Sequence, residues 1–132
     1  MTTPAGWRRI SLNGAASLAV PPDAQDQGVQ PIDSIFGILR GQGYEVIYDY
    51  GRSGEQLTMY KDEPGFISRN ISVDGRPGTE VSFQGSGQPW GHVRMLQVQH
   101  GRDVLTIRVS CSDEDTCRLA DDLFHSVRFG SS

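Results

Sequence analysis

The stretch VLTIRVSC (Val104–Cys111) and the segment that follows it, DEDTCRLADDLFHSVR at 113–128, decide the fold predicted for this chain. In the first, Leu105, Ile107 and Val109 alternate with polar residues, which is the period of a strand with one buried face. In the second, apolar residues recur at the spacing of one helix face: Ala120, Leu123, Phe124 and Val127. The two segments together predict a strand whose apolar side is covered by a C-terminal helix.

Upstream of this strand, three more strands are predicted in quick succession. They cover Phe66–Val73, Thr79–Gln84 and His92–Gln99. Short turns join neighbours, which predicts an antiparallel meander with its apolar side beneath the terminal helix. In the strand from His92 the apolar residues change parity, so we expect either a bulge or a stretch buried on both faces.

The N-terminal half adds a hairpin, a short helix and one more strand. Asn13-Gly14 is a strong hairpin signal between the strands 7–12 and 15–20. Tyr44–Tyr50 is predicted to be a strand because it is rich in aromatic and β-branched residues. Helical spacing predicts a short helix, with an ordered loop as the alternative, from Ile32, Ile35, Phe36 and Leu39.

The predicted class is therefore α+β. We expect an antiparallel sheet of about six strands, with the C-terminal helix and the shorter helix packed on it. The 132 residues fit one domain, 1–132, with an ordered core over about 7–129.

Composition excludes some classes of partner. The net charge of −4 argues against nucleic acid, which needs a basic surface. No apolar run is long enough to span a bilayer. The first residues, MTTPAG, lack the charged lead and apolar stretch of a signal peptide, so the protein is either cytoplasmic or exported with its signal removed.

The two cysteines bear on that choice. Cys111 ends the last strand and Cys117 lies near the start of the helix, with five residues between them. A disulfide, two reduced thiols, and a redox or metal pair are all compatible with this spacing, and the even count favours the disulfide. Because stable disulfides belong to oxidising compartments, we expect a periplasmic or secreted protein, with a cytoplasmic one as the alternative.

The order of these elements resembles the PsbP-like α/β/α sandwich family of small bacterial envelope proteins. The similarity runs through Trp7 and its hairpin to Val20-Pro21, then Asp33-Ser34, Asp49-Tyr50-Gly51 and the final strand and helix, Leu105–Phe129. The resemblance implies a mostly non-enzymatic role of the kind relatives have, as assembly factors, secretion chaperones or subunits that dock on larger machines. It transfers no catalytic residue.

No motif predicts catalysis, a metal or a cofactor. The chain lacks a Gly-x-Ser-x-Gly elbow and a Cys-x-x-Cys pair. Asp121 and His125 lie one helical turn apart and would make half a metal site, but a solvated helix face explains them better. We predict a protein that is not an enzyme. The alternative is a small hydrolase or metal-dependent enzyme with a dispersed site.

Aromatic residues are the strongest binding candidates. Tyr44, Tyr48 and Tyr50 share one face of their strand and form either core or, if exposed, a binding surface together with Tyr60 and Trp90. The hypothesis is a non-catalytic envelope binding or adaptor domain that contacts another protein or a small ligand. The alternative is a secretion-system immunity protein or chaperone that masks a basic partner.

Overall fold

The computed structural model describes residues 3–28, 35–52, 54, 56–85 and 90–130. Within them the strands are β1 (Arg8–Leu12), β2 (Ala16–Val20), β3 (Gln25–Asp26), β4 (Ile35–Gly41), β5 (Tyr44–Gly51), β6 (Ile67–Val73), β7 (Arg76–Gln84), β8 (His92–His100), β9 (Asp103–Cys111) and β10 (Arg128–Phe129). The helices are α1 (Glu114–Cys117), α2 (Leu119–His125) and a 3₁₀ helix (Leu57–Tyr60). None of the described helices combines the length and apolar character that crossing a bilayer requires.

The strands form two antiparallel sheets. The large sheet has the order β3-β4-β5-β9-β8-β7-β6, and β1, β2 and β10 form a small one. The predicted meander is confirmed as β6 to β9, and the large sheet alone has more strands than the six expected. The hairpin between β1 and β2 is also confirmed, since Asn13 and Gly14 have the positive φ angles, 58° and 79°, that its turn requires.

The C-terminal helices cover one side of the large sheet, called here the helix face. The predicted helix is split into α1 and α2 at Arg118, and Val127 follows α2 rather than ending it. The predicted stripe is buried in the main core, where each large side chain contributes about 1.5–3 kcal/mol of burial free energy. Leu18 and Val20 of β2 join the same core, which places the small sheet on this side as well.

The helix predicted around Ile35, Phe36 and Leu39 is wrong, because these residues lie in β4; Ile32 and Asp33-Ser34 fall outside the described residues. All seven residues of β4 pair with β5, from Ile35 opposite Tyr50 to Gly41 opposite Tyr44. Gly37 is required by this pairing, because a Cβ there would overlap the ring of its partner Tyr48. The helical spacing was produced by a strand with apolar residues on both faces.

Gly37→Ala is expected to lower the free energy of unfolding by about 1–3 kcal/mol, because the buried Tyr48 ring has little room to move away from the new methyl group. Urea denaturation measures this. The matched control is Gly91→Ala, where a Cβ meets no atom within 4 Å and stability should change by less than about 0.5 kcal/mol. Equal stability of the two variants would contradict the packing described here.

The centre of β8 is buried on both faces, which confirms one of the two expectations for that strand. Its register with β7 and β9 is continuous, and the neighbours Met95 and Leu96 are both 0% exposed. Leu96 belongs to the main core. Met95 belongs to a second cluster on the opposite side of the sheet, called here the groove face, whose buried members are Leu57, Val81, Phe83, Val93 and Met95.

The placement of a single apolar side beneath the terminal helix therefore needs correction. Val81 and Phe83 of β7 lie on the groove face, since Val81 pairs with Met95. On the helix face, β7 instead presents Glu80 opposite Leu96. At the sheet edge Ile67 is 63% exposed rather than buried.

Cys111 and Cys117 form a disulfide with an S–S distance of 2.10 Å, which joins the end of β9 to α1. Both residues are buried in the main core. The covalent link closes a short loop and holds the first turn of helix against the sheet.

Replacing both cysteines with alanine is expected to cost about 2 kcal/mol of stability, because the unfolded chain gains the entropy of an open loop. Urea denaturation of the variant, and of the parent protein with and without a reductant, measures this cost. Reduction of the parent should reproduce the loss, and reductant should leave the variant unchanged. An unchanged free energy of unfolding of the parent protein after complete reduction of the disulfide would contradict the prediction.

Candidate functional site

The tyrosines of β5 lie in the core. Tyr44, Tyr48 and Tyr50 are 3%, 7% and 6% exposed, so the exposed binding surface considered for them is wrong. The reason is the position of β5 in the middle of the sheet, with these side chains on the helix face. The Tyr44 hydroxyl donates to Asp23, and a hydrogen bond of 2.7 Å joins the Tyr50 hydroxyl to Nδ1 of His100. Burial raises the pKa of all three phenols.

Asp23 links this core to the surface. The Gln42 backbone N–H and then the Tyr44 hydroxyl donate to its carboxylate, at 3.0 and 2.5 Å, and hold its pKa below the ordinary value of 3.8. A depressed folded-state pKa stabilises the fold above the unfolded value, and this contribution is lost as the pH falls through the folded one.

Asp23→Asn is therefore expected to reduce the loss of unfolding free energy between about pH 4 and pH 2. Urea denaturation at a series of pH values gives the slope. Asp62→Asn removes an exposed carboxylate and serves as the control, with the slope of the parent. A steep acid slope that survives in Asp23→Asn would count against the assigned role.

Tyr60 and Trp90, the two other predicted binding residues, meet in a groove of about 340 Å³ on the groove face. We call it the Arg108 groove. Its lining residues are Glu45, Ile47, Tyr60, Glu63, Phe83, Gly85, Trp90, Val93, Arg108 and Ser110. The groove thus combines aromatic side chains, carboxylates and one guanidinium.

The wall bearing Tyr60 is fixed by packing and by backbone hydrogen bonds. Leu57 of the 3₁₀ helix is buried in the second cluster, and the Tyr60 ring stacks on Phe83 with ring centroids 4.7 Å apart and planes 13° apart. The Gln84 N–H donates to the Pro64 carbonyl at 2.8 Å, which ties the following turn to the end of β7. The aromatic wall is therefore preformed.

Arg108 lies on the floor of the groove and was not among the predicted site residues. Its β9 backbone is flanked by Ile47 of β5 and Met95 of β8. Its Nη1 donates to the Tyr60 hydroxyl at 3.5 Å, its Nε donates to Ser110 Oγ at 3.4 Å, and its guanidinium carbon is 5.8 Å from the centroid of the Tyr60 ring.

The guanidinium of Arg108 has no ion pair among the described residues. The neighbouring carboxylate of Glu45 is instead paired with Arg40 at 2.7 Å. Arg108 is half-buried, so its charge is partly removed from water without an ion pair among the described residues. This unpaired guanidinium is the chemical feature that distinguishes the Arg108 groove from the groove on the helix face described next.

A larger groove of about 470 Å³ lies on the helix face between the C-terminal helices and β6 to β8, and it has a different electrostatic character. Glu80, with 6% of its side chain exposed, pairs with Arg69 at 2.9 Å and with Arg94. Arg94 also pairs with Asp121 of α2. The buried Glu80 carboxylate and the largely buried Arg94 guanidinium are thus both paired, and the pairs connect the helix to the sheet.

The described residues contain no group of three or more His, Cys, Asp or Glu side chains placed to hold a metal ion. Nδ1 of His125 is 2.7 Å from the backbone oxygen of Asp121, whose carboxylate is paired with Arg94. Asp113 caps α1 by accepting from the Thr116 N–H at 2.7 Å, which lowers the Asp113 pKa. These acidic residues have structural partners.

No protein-family model matches the chain, and no curated protein matches it. Among solved structures, the cyanobacterial PsbP protein CyanoP from Synechocystis sp. PCC 6803 is similar, with a TM-score of 0.64, 13% identity and coverage of 96% of this chain and 94% of that chain. A protein of unknown function from Pseudomonas aeruginosa has a TM-score of 0.45, 14% identity and coverage of 89% and 90%. The first similarity confirms that this chain has the expected PsbP-like fold.

Proposed function

We propose that this chain is a non-catalytic binding domain of the bacterial cell envelope that contacts another protein through the Arg108 groove. The observation that carries the proposal is a half-buried arginine without an ion pair among the described residues, in a groove that Tyr60 and Trp90 also line. Arginine, tyrosine and tryptophan are the residues that most often dominate the energetics of protein interfaces.

The surroundings of the groove favour a protein over a small ligand. Ile47 of β5 lines the groove, and both it and its partner Ile38 on the adjacent strand β4 are only half-buried. Met59, on the same 3₁₀ helix as Tyr60, is 66% exposed. A small molecule is normally buried over most of its surface, whereas a protein covers a broad mixed patch of this kind.

The groove is a poor candidate for covalent catalysis. Among the described residues that line it, Ser110 is the one with a serine-type hydroxyl, and the Arg108 guanidinium contacts this hydroxyl. A guanidinium stays protonated and does not act as a base. No histidine or cysteine is among the lining residues that the structure describes.

The proposed compartment is the periplasm or the cell exterior. The disulfide between Cys111 and Cys117 supports it, because such bonds persist in oxidising compartments and are rare in the cytoplasm. The net charge of −4 suits a protein partner better than nucleic acid.

A photo-crosslinking amino acid placed at Trp90 is expected to trap a discrete partner protein in the native cells, because this side chain borders the groove. The matched control places the same group at Ile67, which is exposed on the helix face. Gel shifts and mass spectrometry identify the adducts. Adducts from Ile67 alone, or from neither position, would overturn the proposal.

A further inference from the structure

We infer that the partner's anchor in the Arg108 groove is an acidic side chain next to an aromatic or aliphatic residue, with its carboxylate on the Arg108 guanidinium. The inference rests on the function proposed above and names the chemistry of the partner at that site. Three features of the groove support it: the unused donors of Arg108, its apolar surroundings and the charges that line the groove.

The hydrogen-bond donors of Arg108 are mostly unused by the protein. A guanidinium has five N–H donors. Two of them are directed to Tyr60 and Ser110, at 3.5 and 3.4 Å, which are long for hydrogen bonds. The remaining N–H groups, including both on Nη2, have no acceptor among the described residues. A carboxylate accepts two parallel N–H bonds from this geometry.

The surroundings would strengthen such an ion pair. The strand neighbours of Arg108 are the half-buried Ile47 and the fully buried Met95. The guanidinium is therefore already partly desolvated in the folded protein, before any partner binds. Coulombic attraction is larger where water is scarce. Tyr60 and Trp90 border the same space and provide apolar surface for the residue beside the anchor.

The rim charges favour a single carboxylate over a polyanion. Glu45 and Glu63 line the groove, and the net charge of the chain is −4. Several negative charges brought close together would be repelled, as they would be for a nucleic acid strand or a polyphosphate. One carboxylate that reaches Arg108 gains an ion pair and meets less repulsion.

A basic anchor fits this site less well. The carboxylate of Glu45 is already paired with Arg40 and is therefore not free to pair with a cation of the partner. A cation placed in the groove would lie near the uncompensated charge of Arg108. A lysine or an arginine next to Arg108 is therefore repelled, and Glu63 is the lining carboxylate without an ion pair among the described residues that would offset part of this repulsion.

The test uses a random nine-residue peptide library displayed on phage, selected on the full chain and counter-selected on its Trp90→Ala variant. We expect enrichment of Asp or Glu beside an aromatic or aliphatic residue. The most enriched peptide and its counterpart with Asn or Gln at the acidic position are then titrated by NMR. Loss of the carboxylate should weaken binding about tenfold or more, with shifts at the amides of residues 60, 90 and 108 for the acidic peptide.

Protein variants provide a second, independent comparison. Arg108→Gln should weaken the acidic peptide by the same factor and leave the Asn or Gln peptide unchanged. Arg102→Gln is the matched control, because it removes the same charge from an exposed turn about 20 Å along the strand. The matched peptides keep the test decisive even if Arg108→Gln fails to fold.

Enrichment of basic or uncharged peptides, equal affinity of the two matched peptides, or no enrichment that depends on Trp90 would each overturn the acidic anchor. The crosslinking experiment judges the proposed function separately. A partner trapped at Trp90 together with equal binding of the matched peptides would leave a binding groove with a different anchor. Absence of adducts at Trp90 would remove both proposals.

Discussion

Eight residue pairs join β5 to β9, from Tyr44 opposite Cys111 to Gly51 opposite Val104. This register places Tyr48 beside Ile107 in the main core and, on the other side of the sheet, Ile47 beside Arg108 in the groove. A slip of one residue would exchange the two faces along the whole strand. The core and the candidate site therefore depend on the same pairing, and the disulfide at its end fixes β9 to the first helix.

Alternation within a strand was readable from the sequence, whereas the relation between strands was not. Leu105, Ile107 and Val109 were correctly placed on one buried face. Val81 and Phe83 also alternate correctly, yet they lie on the opposite side of the sheet from that set. The side that a strand presents depends on its register with its neighbour, and only three-dimensional pairing supplies this information.

The segment around Ile35 shows why local spacing failed for β4. A strand that is apolar on both faces produces residues at i, i+3, i+4 and i+7 as readily as a helix does. The evidence for a strand lies in the neighbouring strand β5. The rings of its Tyr44 and Tyr48 occupy the space that side chains at Gly41 and Gly37 of β4 would need. Asn13-Gly14 was more reliable, since its turn geometry is a purely local property.

Only part of the candidate site could be predicted, because the sequence indicates residue types and local positions but not contacts between strands. Tyr60 and Trp90 were identified by residue type and loop position, and the structure brings them together in one groove. Arg108 was placed on a polar face and given no role, because nothing in the sequence separates it from Arg94, the arginine of the adjacent strand. The difference lies in their neighbours across the sheet.

That difference is the strongest argument that Arg108 serves an external partner. Arg94 has 16% of its side chain exposed and is compensated twice, by Glu80 and by Asp121. An uncompensated buried charge costs several kcal/mol of stability, roughly, so a structural arginine in this sheet is expected to have such partners. Arg108 lies in the same sheet and is also partly buried, but its hydrogen-bond and cation–π contacts in the described chain are with two hydroxyl groups and one aromatic ring. The carboxylate proposed for the partner would supply the ion pair that Arg108 lacks within the described chain.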